Sequence, residues 1–320
     1  MSARVALLGV GTVGSALLDR LDRHGDGVDV VLVSSSRQSV TDPGGIDVCT
    51  AVEKLRTSEV ASDLALVSAA LGPPDAGHRV VVDATASPVV AARHAHWLLR
   101  GIHVVTASKI ANGGGQTDAD ALAVAARVGQ ARYGASATVG AGLPLLRTIE
   151  ALRAGGDEML RIAGVLSGSL AWILDAHHSE GGRRALPDLV EEARRLGLTE
   201  PDPGVDLSGE DVRRKLLVLA RAAGARLEPA DIDVTPLAEI PRSDQRLRYI
   251  ASWEPGARST VGLVALPAGD PLAAGTGCDN RVAIWSSRYA DQPLVVQGPG
   301  TGAGVTAAAL LDDIRCVLRI

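Results

Sequence analysis

The chain has 320 residues, 46% of them apolar and 22% charged, with a formal net charge of −5. That suits a globular protein with a substantial core, in two ordinary domains or one large one. The acidic balance leaves no basic patch, which argues against nucleic-acid and anionic-membrane partners, and no apolar run approaches the roughly 18 residues of a membrane span.

The N-terminus, MSARVALLGVG, runs straight into a structural motif and leaves no room for a cleavable leader, so a cytoplasmic location is expected. RVALLGV (4–10) reads as a strand followed at once by glycines and a helical pattern from Thr12 to about His24. VDVVLVSSS (28–36) reads as a second strand, followed by a helical stretch from about Ala51 to Leu71. RVVVDATA (79–86) is a further strand, and SPVVAARHAHWLLRG is a helix with Pro88 in its first turn and Gly101 as its stop. IHVVTAS (102–108) is another short apolar strand. Apolar strands alternating with helices predict an α/β fold, a doubly wound parallel sheet covered on both faces, over residues 1–135.

After VGAGLP (139–144) the rhythm changes. EMLRIAGVLSGS reads as a strand ending in a small-residue turn, and helical patterns cover 168–180, 185–196 and 208–224. LRYIASW, STVGLVALP, RVAIWSS and PLVVQG alternate with turns as an antiparallel sheet would, which gives an α+β region. A glycine cluster, GPGTGAGVT, then leads into a helix at about 303–318.

GVGTVG places Gly9, Gly11 and Gly14 in the dinucleotide-binding arrangement, directly after a strand and opening a helix. The helix N-terminus at Thr12 and Val13 offers amide donors to a pyrophosphate. Where an NAD-selective site places a carboxylate for the ribose 2′-OH, this chain has Ser34, Ser35, Ser36 and Arg37. The bland reading is an ordinary loop. The sharper one is a preference for NADP over NAD, with three hydroxyls and a guanidinium available to a 2′-phosphate.

The second motif is TEPDPGVDLSGEDVRRKLL (199–217). Its prolines hold Glu200 and Asp202 on an extended turn, and Ser208 is a candidate N-cap with Asp211 three residues on. At about 100° per residue Lys215 lies about 40° from Asp211, on the side of the apolar residues and away from the arginines. Asp211 and Lys215 have the i,i+4 spacing of an ion pair. An exposed pair of this kind would mean little, but a lysine directed into a core suits proton transfer. Glu200 and Asp206 would suit the ammonium group of an amino-acid substrate. His94, His96, His177 and His178 read as surface helix residues, and Cys49, Cys278 and Cys316 as buried thiols without metal-ligand spacing.

With VVDATASP, GIHVVTASKIAN, TVGAGLP, GDEMLRIAGVLSGSL and GPGTGAGVTAAALLDD beside these two motifs, nearly the whole chain resembles homoserine dehydrogenase. The resemblance implies NAD(P)-dependent interconversion of L-homoserine and L-aspartate 4-semialdehyde. It implies a Rossmann-type domain (1–135) completed by a C-terminal helix (301–320), and a substrate-binding and dimerisation domain (136–300) in a homodimer. Lys215 would exchange the proton at the substrate oxygen, oriented by Asp211, while Lys109 reaches substrate and nicotinamide. Glu200 and Asp206 would hold the substrate, above a turn from Gly164 to Ser169 that includes Ser167 and Gly168. Thr85 and Ser87 would lie beside the nicotinamide, and Gly302 in the loop that returns to the cofactor. A monovalent cation would rest on backbone carbonyls of Val139, Ala141 and Leu143, with Ser136 where the family has a carboxylate, so little cation dependence is expected.

Leu198 stands where a tyrosine is common, Val205 where a second aspartate is frequent, and the stretch from Pro236 to Arg246 is shorter than in the family. No kinase or regulatory domain is evident, so feedback control by threonine is not expected. The alternatives are a catalytically impaired cofactor-binding or regulatory homologue, or another two-domain NAD(P) reductase of a small amino or keto acid.

Overall fold

The apolar run near the N-terminus forms β1 (Ala3–Leu8) and feeds into α1 (Thr12–His24) in the computed structural model, which describes residues 2–319. There follow β2 (Val28–Ser34), β3 (Ser39–Thr41), α2 (Ala51–Thr57), α3 (Val67–Ala70), β4 (His78–Asp83), α4 (Pro88–Ala91), α5 (His94–Leu99), β5 (His103–Thr106), α6 (Gln116–Val128) and β6 (Tyr133–Gly134). The strands pair in the order β3-β2-β1-β4-β5-β6, parallel except at the antiparallel edge strand β3. Successive side chains of a strand point to opposite faces. Val5 and Leu7 of β1 therefore join Leu17, Leu18 and Leu21 of α1 on one side. Ala6 and Leu8 join Trp97, Leu98 and Leu122 on the other. Both faces are covered, so the sheet is doubly wound.

Two expected helices are broken. The stretch 51–71 leaves the helix after α2, where the Ser39 N–H donates to Val60 O (2.9 Å) and the Ser58 hydroxyl to Ser39 O (2.7 Å). The segment thereby covers the edge strand, whose outer backbone groups would otherwise lack partners. The stretch 88–101 divides into α4 and α5, and His94, first in α5, is turned fully inside.

From Leu143 to Thr301 the chain forms a second unit. It comprises α7 (Leu145–Ala154), β7 (Met159–Val165), α8 (Gly168–Ser179), α9 (Leu186–Arg195), α10 (Pro203–Leu207), α11 (Glu210–Ala222), β8 (Ile232–Val234), β9 (Arg246–Trp253), β10 (Ser259–Leu266), β11 (Asp279–Ser286) and β12 (Leu294–Pro299). Its sheet runs β12-β11-β7-β9-β10-β8, antiparallel except between β8 and β10. In α11 every residue from Lys215 to Ala220 is buried, so this helix is embedded rather than laid on the surface. α12 (Ala303–Leu318) belongs to the first unit, where Leu310, Leu311 and Ile314 share a cluster with Val5, Leu7 and Leu17. No helix among the described residues is long and apolar enough to cross a membrane.

Candidate active site

The glycine loop follows β1 directly. A Cβ on Gly14 would lie 1.9 Å from the Gly9 carbonyl oxygen, and Gly9 itself has φ +93 with Ala84 O and Thr85 Cγ2 each 2.8 Å from its would-be Cβ. Helix, loop and the end of β4 thus approach more closely than side chains allow. At Gly11 a Cβ would meet nothing within 4 Å. That open space lies at the N-terminus of α1, whose first amides, including those of Thr12 and Val13, have no intrahelical acceptor. The arrangement fits a pyrophosphate.

Ser35 to Gln38 form the turn from β2 into β3, closed by the Ser35 N–H donating to Gln38 O (2.9 Å). The Ser34 hydroxyl is buried among its neighbours, 2.8 Å from Ser62 Oγ, so it is not available to a phosphate. This corrects the expectation of three free hydroxyls. The Ser35 oxygen accepts the amides of Arg37 (3.2 Å) and Gln38 (3.0 Å), leaving Ser36 and Arg37 exposed at the tip.

β4 ends in Asp83, which is fully buried. One carboxylate oxygen accepts the Thr85 hydroxyl (2.6 Å) and amide (2.9 Å); the other meets His94 Nε2 at 3.0 Å, whose Nδ1 lies 3.3 Å from the Tyr133 hydroxyl. Burial, and then Asp83, raise the Tyr133 pKa, so its phenol keeps its proton. The Thr85 hydroxyl is further engaged as acceptor of the Ser87 amide (3.1 Å), and Ser87 caps α4. His94 is therefore no surface residue, and neither is His177, whose Nδ1 lies 3.0 Å from Arg184 O; His96 and His178 are exposed as expected. Cys49 is exposed rather than buried, with its Sγ 3.0 Å from an Asp22 carboxylate oxygen.

The acidic loop and lysine helix come together in the second unit. Lys215, 9% exposed, places its Nζ 2.8 Å from Asp211 Oδ2 and donates to Leu166 O at 2.7 Å. Three residues past Leu166, the Ser169 hydroxyl donates to Asp206 Oδ1 (2.7 Å). Because that proton is committed, the contact of 2.9 Å between Ser167 and Ser169 has Ser167 as donor. The other Asp206 oxygen accepts the Glu200 amide at 2.9 Å, and the Glu200 side chain is exposed. One chain of bonds thus ties the turn after β7 to the acidic loop, beside a buried lysine with a carboxylate partner. Ser208 does not cap α11: Gly209 is the N-cap, with φ +76, and Ser208 accepts the Glu210 amide (3.2 Å). The Tyr249 hydroxyl packs against Gly209 and donates to Thr235 O (2.8 Å); burial and then Glu210 push its pKa up to about 12.

Sequence comparison accounts for this arrangement. The family described as "Homoserine dehydrogenase" matches residues 144–315, and "Homoserine dehydrogenase, NAD binding domain" matches 9–134. A homoserine dehydrogenase of Emericella nidulans is 31% identical, with 100% of each chain covered. The chain belongs to the homoserine dehydrogenase family. It is also 36% identical to a chloroplastic bifunctional aspartokinase/homoserine dehydrogenase of Zea mays, covering 97% of this chain but 38% of that protein, so it spans well under half the length of such relatives. Among solved structures, a Candida auris protein of unknown function is 27% identical with a TM-score of 0.91, covering 100% of this chain and 99% of that one. A hyperthermophilic archaeal homoserine dehydrogenase in complex with NADPH superposes with a TM-score of 0.85 at 24% identity, over 100% of this chain and 99% of that one, a likeness of fold.

The remaining positions of this homoserine dehydrogenase family member are placed as follows. Lys109 is half-buried in the turn after β5. Gly164 lies inside β7, where a Cβ would stand 2.8 Å from Arg281 O, so strand packing alone explains it. Gly168 opens α8, and Gly302, at φ +121, is the N-cap of α12. Val139 and Ala141 are buried, with Ala141 at φ +52, while the Leu143 carbonyl already accepts the Leu145 amide at 2.8 Å. A carboxylate does lie at Ser136: Asp313 of α12 accepts its amide (2.9 Å) and its hydroxyl (2.8 Å). Sequence reading missed Asp83, although an acid directly after the apolar run Val80–Val82 was a visible signal. It also missed Asp313 and the Leu166 carbonyl, which no local pattern marks.

Proposed function

We propose that the chain is a homoserine dehydrogenase that interconverts L-homoserine and L-aspartate 4-semialdehyde and prefers NADP(H). The observation that carries this reading is Lys215, buried in α11 with its Nζ held by Asp211 and Leu166 O. Bound at the Gly9–Gly14 loop, the nicotinamide dinucleotide supplies the hydride in reduction and accepts it in oxidation. Lys215, as ammonium, gives its proton to the semialdehyde oxygen as the carbonyl carbon is reduced; as the neutral amine it removes the hydroxyl proton in the reverse direction. Asp211 and the Leu166 carbonyl fix the direction of that proton. Asp206, with its loop held by Ser169 and the Glu200 amide, offers its remaining lone pairs to the substrate, and Glu200 offers an exposed carboxylate to the ammonium. Lys109 supplies a second cation for the developing oxyanion. Thr85 spends its hydroxyl proton on Asp83, so it serves the cofactor as a strut and Ser87 as the more available neighbour.

Ser36 and Arg37 at the β2–β3 tip receive the 2′-phosphate. The protein works as a homodimer in the cytoplasm, without nucleic-acid or membrane partners. Val139, Ala141 and Leu143 make at most a weak monovalent-cation site, because Asp313 is turned to Ser136. The deciding experiment is homoserine-dependent reduction of NADP and of NAD, followed by absorbance of the reduced cofactor, in sodium and in potassium salts. Activity with NADP favoured supports the proposal. Folded, nucleotide-binding protein without homoserine-dependent activity overturns it.

A further inference from the structure

A second cleft lies in the first unit, away from the glycine loop. Because β1, β4 and β5 run parallel, Gly9 lies at their C-terminal edge, whereas His78 and His103 begin β4 and β5 at the N-terminal edge. There a cleft of about 540 Å³ has His78, Arg79, Arg100, His103 and Gln130 as its polar lining, with no carboxylate lining it among the described residues.

The Arg79 guanidinium donates to Arg100 O (2.7 Å) and Gly72 O (3.4 Å), which accounts for its position. Carbonyl dipoles carry only partial charge, so its full positive charge is not neutralised there. His103 Nδ1 accepts the Arg132 amide at 2.9 Å, so the neutral ring carries its proton on Nε2, as a donor. The His78 and His103 ring centres are 5.8 Å apart, and the buried Nε2 of His78 has no hydrogen-bond partner among the described residues. Burial, followed by His78, Arg132 and Arg79, pushes the His103 pKa down to about 4. Burial and then Arg100 lower that of Arg79. The groups crowding this cleft therefore repel one another's charge, and an anion would relieve the repulsion while satisfying donors.

We propose that the cleft formed by His78, Arg79, Arg100 and His103 binds a small oxyanion of the phosphate class. The Arg100 guanidinium, exposed at the rim, offers the forked donor geometry that such an anion fits, and His103 Nε2–H a neutral donor beside it. The site is independent of the dehydrogenase reaction proposed above.

The test uses the full chain with histidine ring carbons labelled, titrated with inorganic phosphate at constant ionic strength against chloride. Saturable shifts of the His78 and His103 ring signals are expected. The apparent pKa of His103 should rise by about one unit at saturation, because phosphate binds the protonated ring about tenfold more tightly. Arg100→Ala keeps the carbonyl that Arg79 needs, and should weaken phosphate binding by about tenfold, the effect of one charge-assisted hydrogen bond. Its unchanged pattern of other signals and unchanged turnover would show that the fold is intact. No saturable shift, an equal response to chloride, or undiminished binding in Arg100→Ala overturns the proposal.

Discussion

Lys215 joins two residues that no short stretch of sequence brings together, one a turn earlier on its own helix and one at the end of a strand. Its side chain is largely buried and its nitrogen is held by two partners, so Lys215→Ala is expected to lower kcat by roughly 10²–10⁴-fold, the usual contribution of a positioned acid–base group. Cofactor binding, measured by quenching or calorimetry, should stay within a few-fold. Asp211→Asn keeps a hydrogen-bond acceptor and should lose less; a larger loss than in Lys215→Ala would refute the orienting role. Arg37 at the β2–β3 tip is exposed, so the bond proposed between it and a 2′-phosphate would be worth the lower end of the charge-assisted range. Arg37→Ala should cut the NADP-to-NAD ratio of kcat/KM by about tenfold, one charge-assisted hydrogen bond. An unchanged ratio would remove Arg37 from the cofactor site.

In the proposed reaction two helices carry the chemistry, and each has a constrained glycine at or near its start, Gly14 in the first turn of α1 and Gly209 at the N-cap of α11. α1 lies so close to the loop that Gly14→Ala would drive a methyl onto the Gly9 carbonyl. Overpacking of this kind typically costs about 1–3 kcal/mol, and here it would displace the amides proposed to bind the pyrophosphate. α11 begins at Gly209, where φ is +76 and a Cβ would lie 2.2 Å from the Tyr249 oxygen. Gly209→Ala should also destabilise the fold, with its main catalytic effect through the setting of Asp211 and Lys215. The pair separates the elements: Gly14→Ala should raise the Kd for NADP, Gly209→Ala should lower kcat with that Kd nearly kept. Equal effects on both quantities in both variants would mean general unfolding rather than local displacement. Ser208, a good N-cap by type, is not used, because the αL residue after it, Gly209, already starts the helix.

For the molecule as a whole, His103 predicts how stability changes with pH. Its folded pKa, about 4, lies below the ordinary 6.5, so the unfolded chain binds more protons between those values. The stabilisation from this residue is complete above pH 6.5 and disappears as pH falls through about 4. Melting temperature in phosphate-free buffer should therefore fall between pH 7 and pH 5 more steeply in the wild type than in His103→Gln. Parallel slopes for the two proteins would contradict this assignment.

The sequence alone determined the alternation of strands and helices, the glycine loop and its helix, and the inward lean of Lys215. These depend on period and on spacing within one element, and a period is a local property of the chain. It also carried the family, because the acidic loop and lysine helix form one continuous run. The tertiary structure decided which groups meet across long separations. Lys215 reaches Leu166 from 49 residues away, Ser169 reaches Asp206 from 37, and Asp313 takes Ser136 from 177. It also decided burial: His94 lies inside because Asp83 needs a partner there, while Cys49 lies outside. Ser34, last in β2, faces the interior and Arg37, in the turn after it, the solvent, although they are only three positions apart. A hydrogen bond or a buried face depends on what the rest of the chain places opposite it, and no local pattern records that.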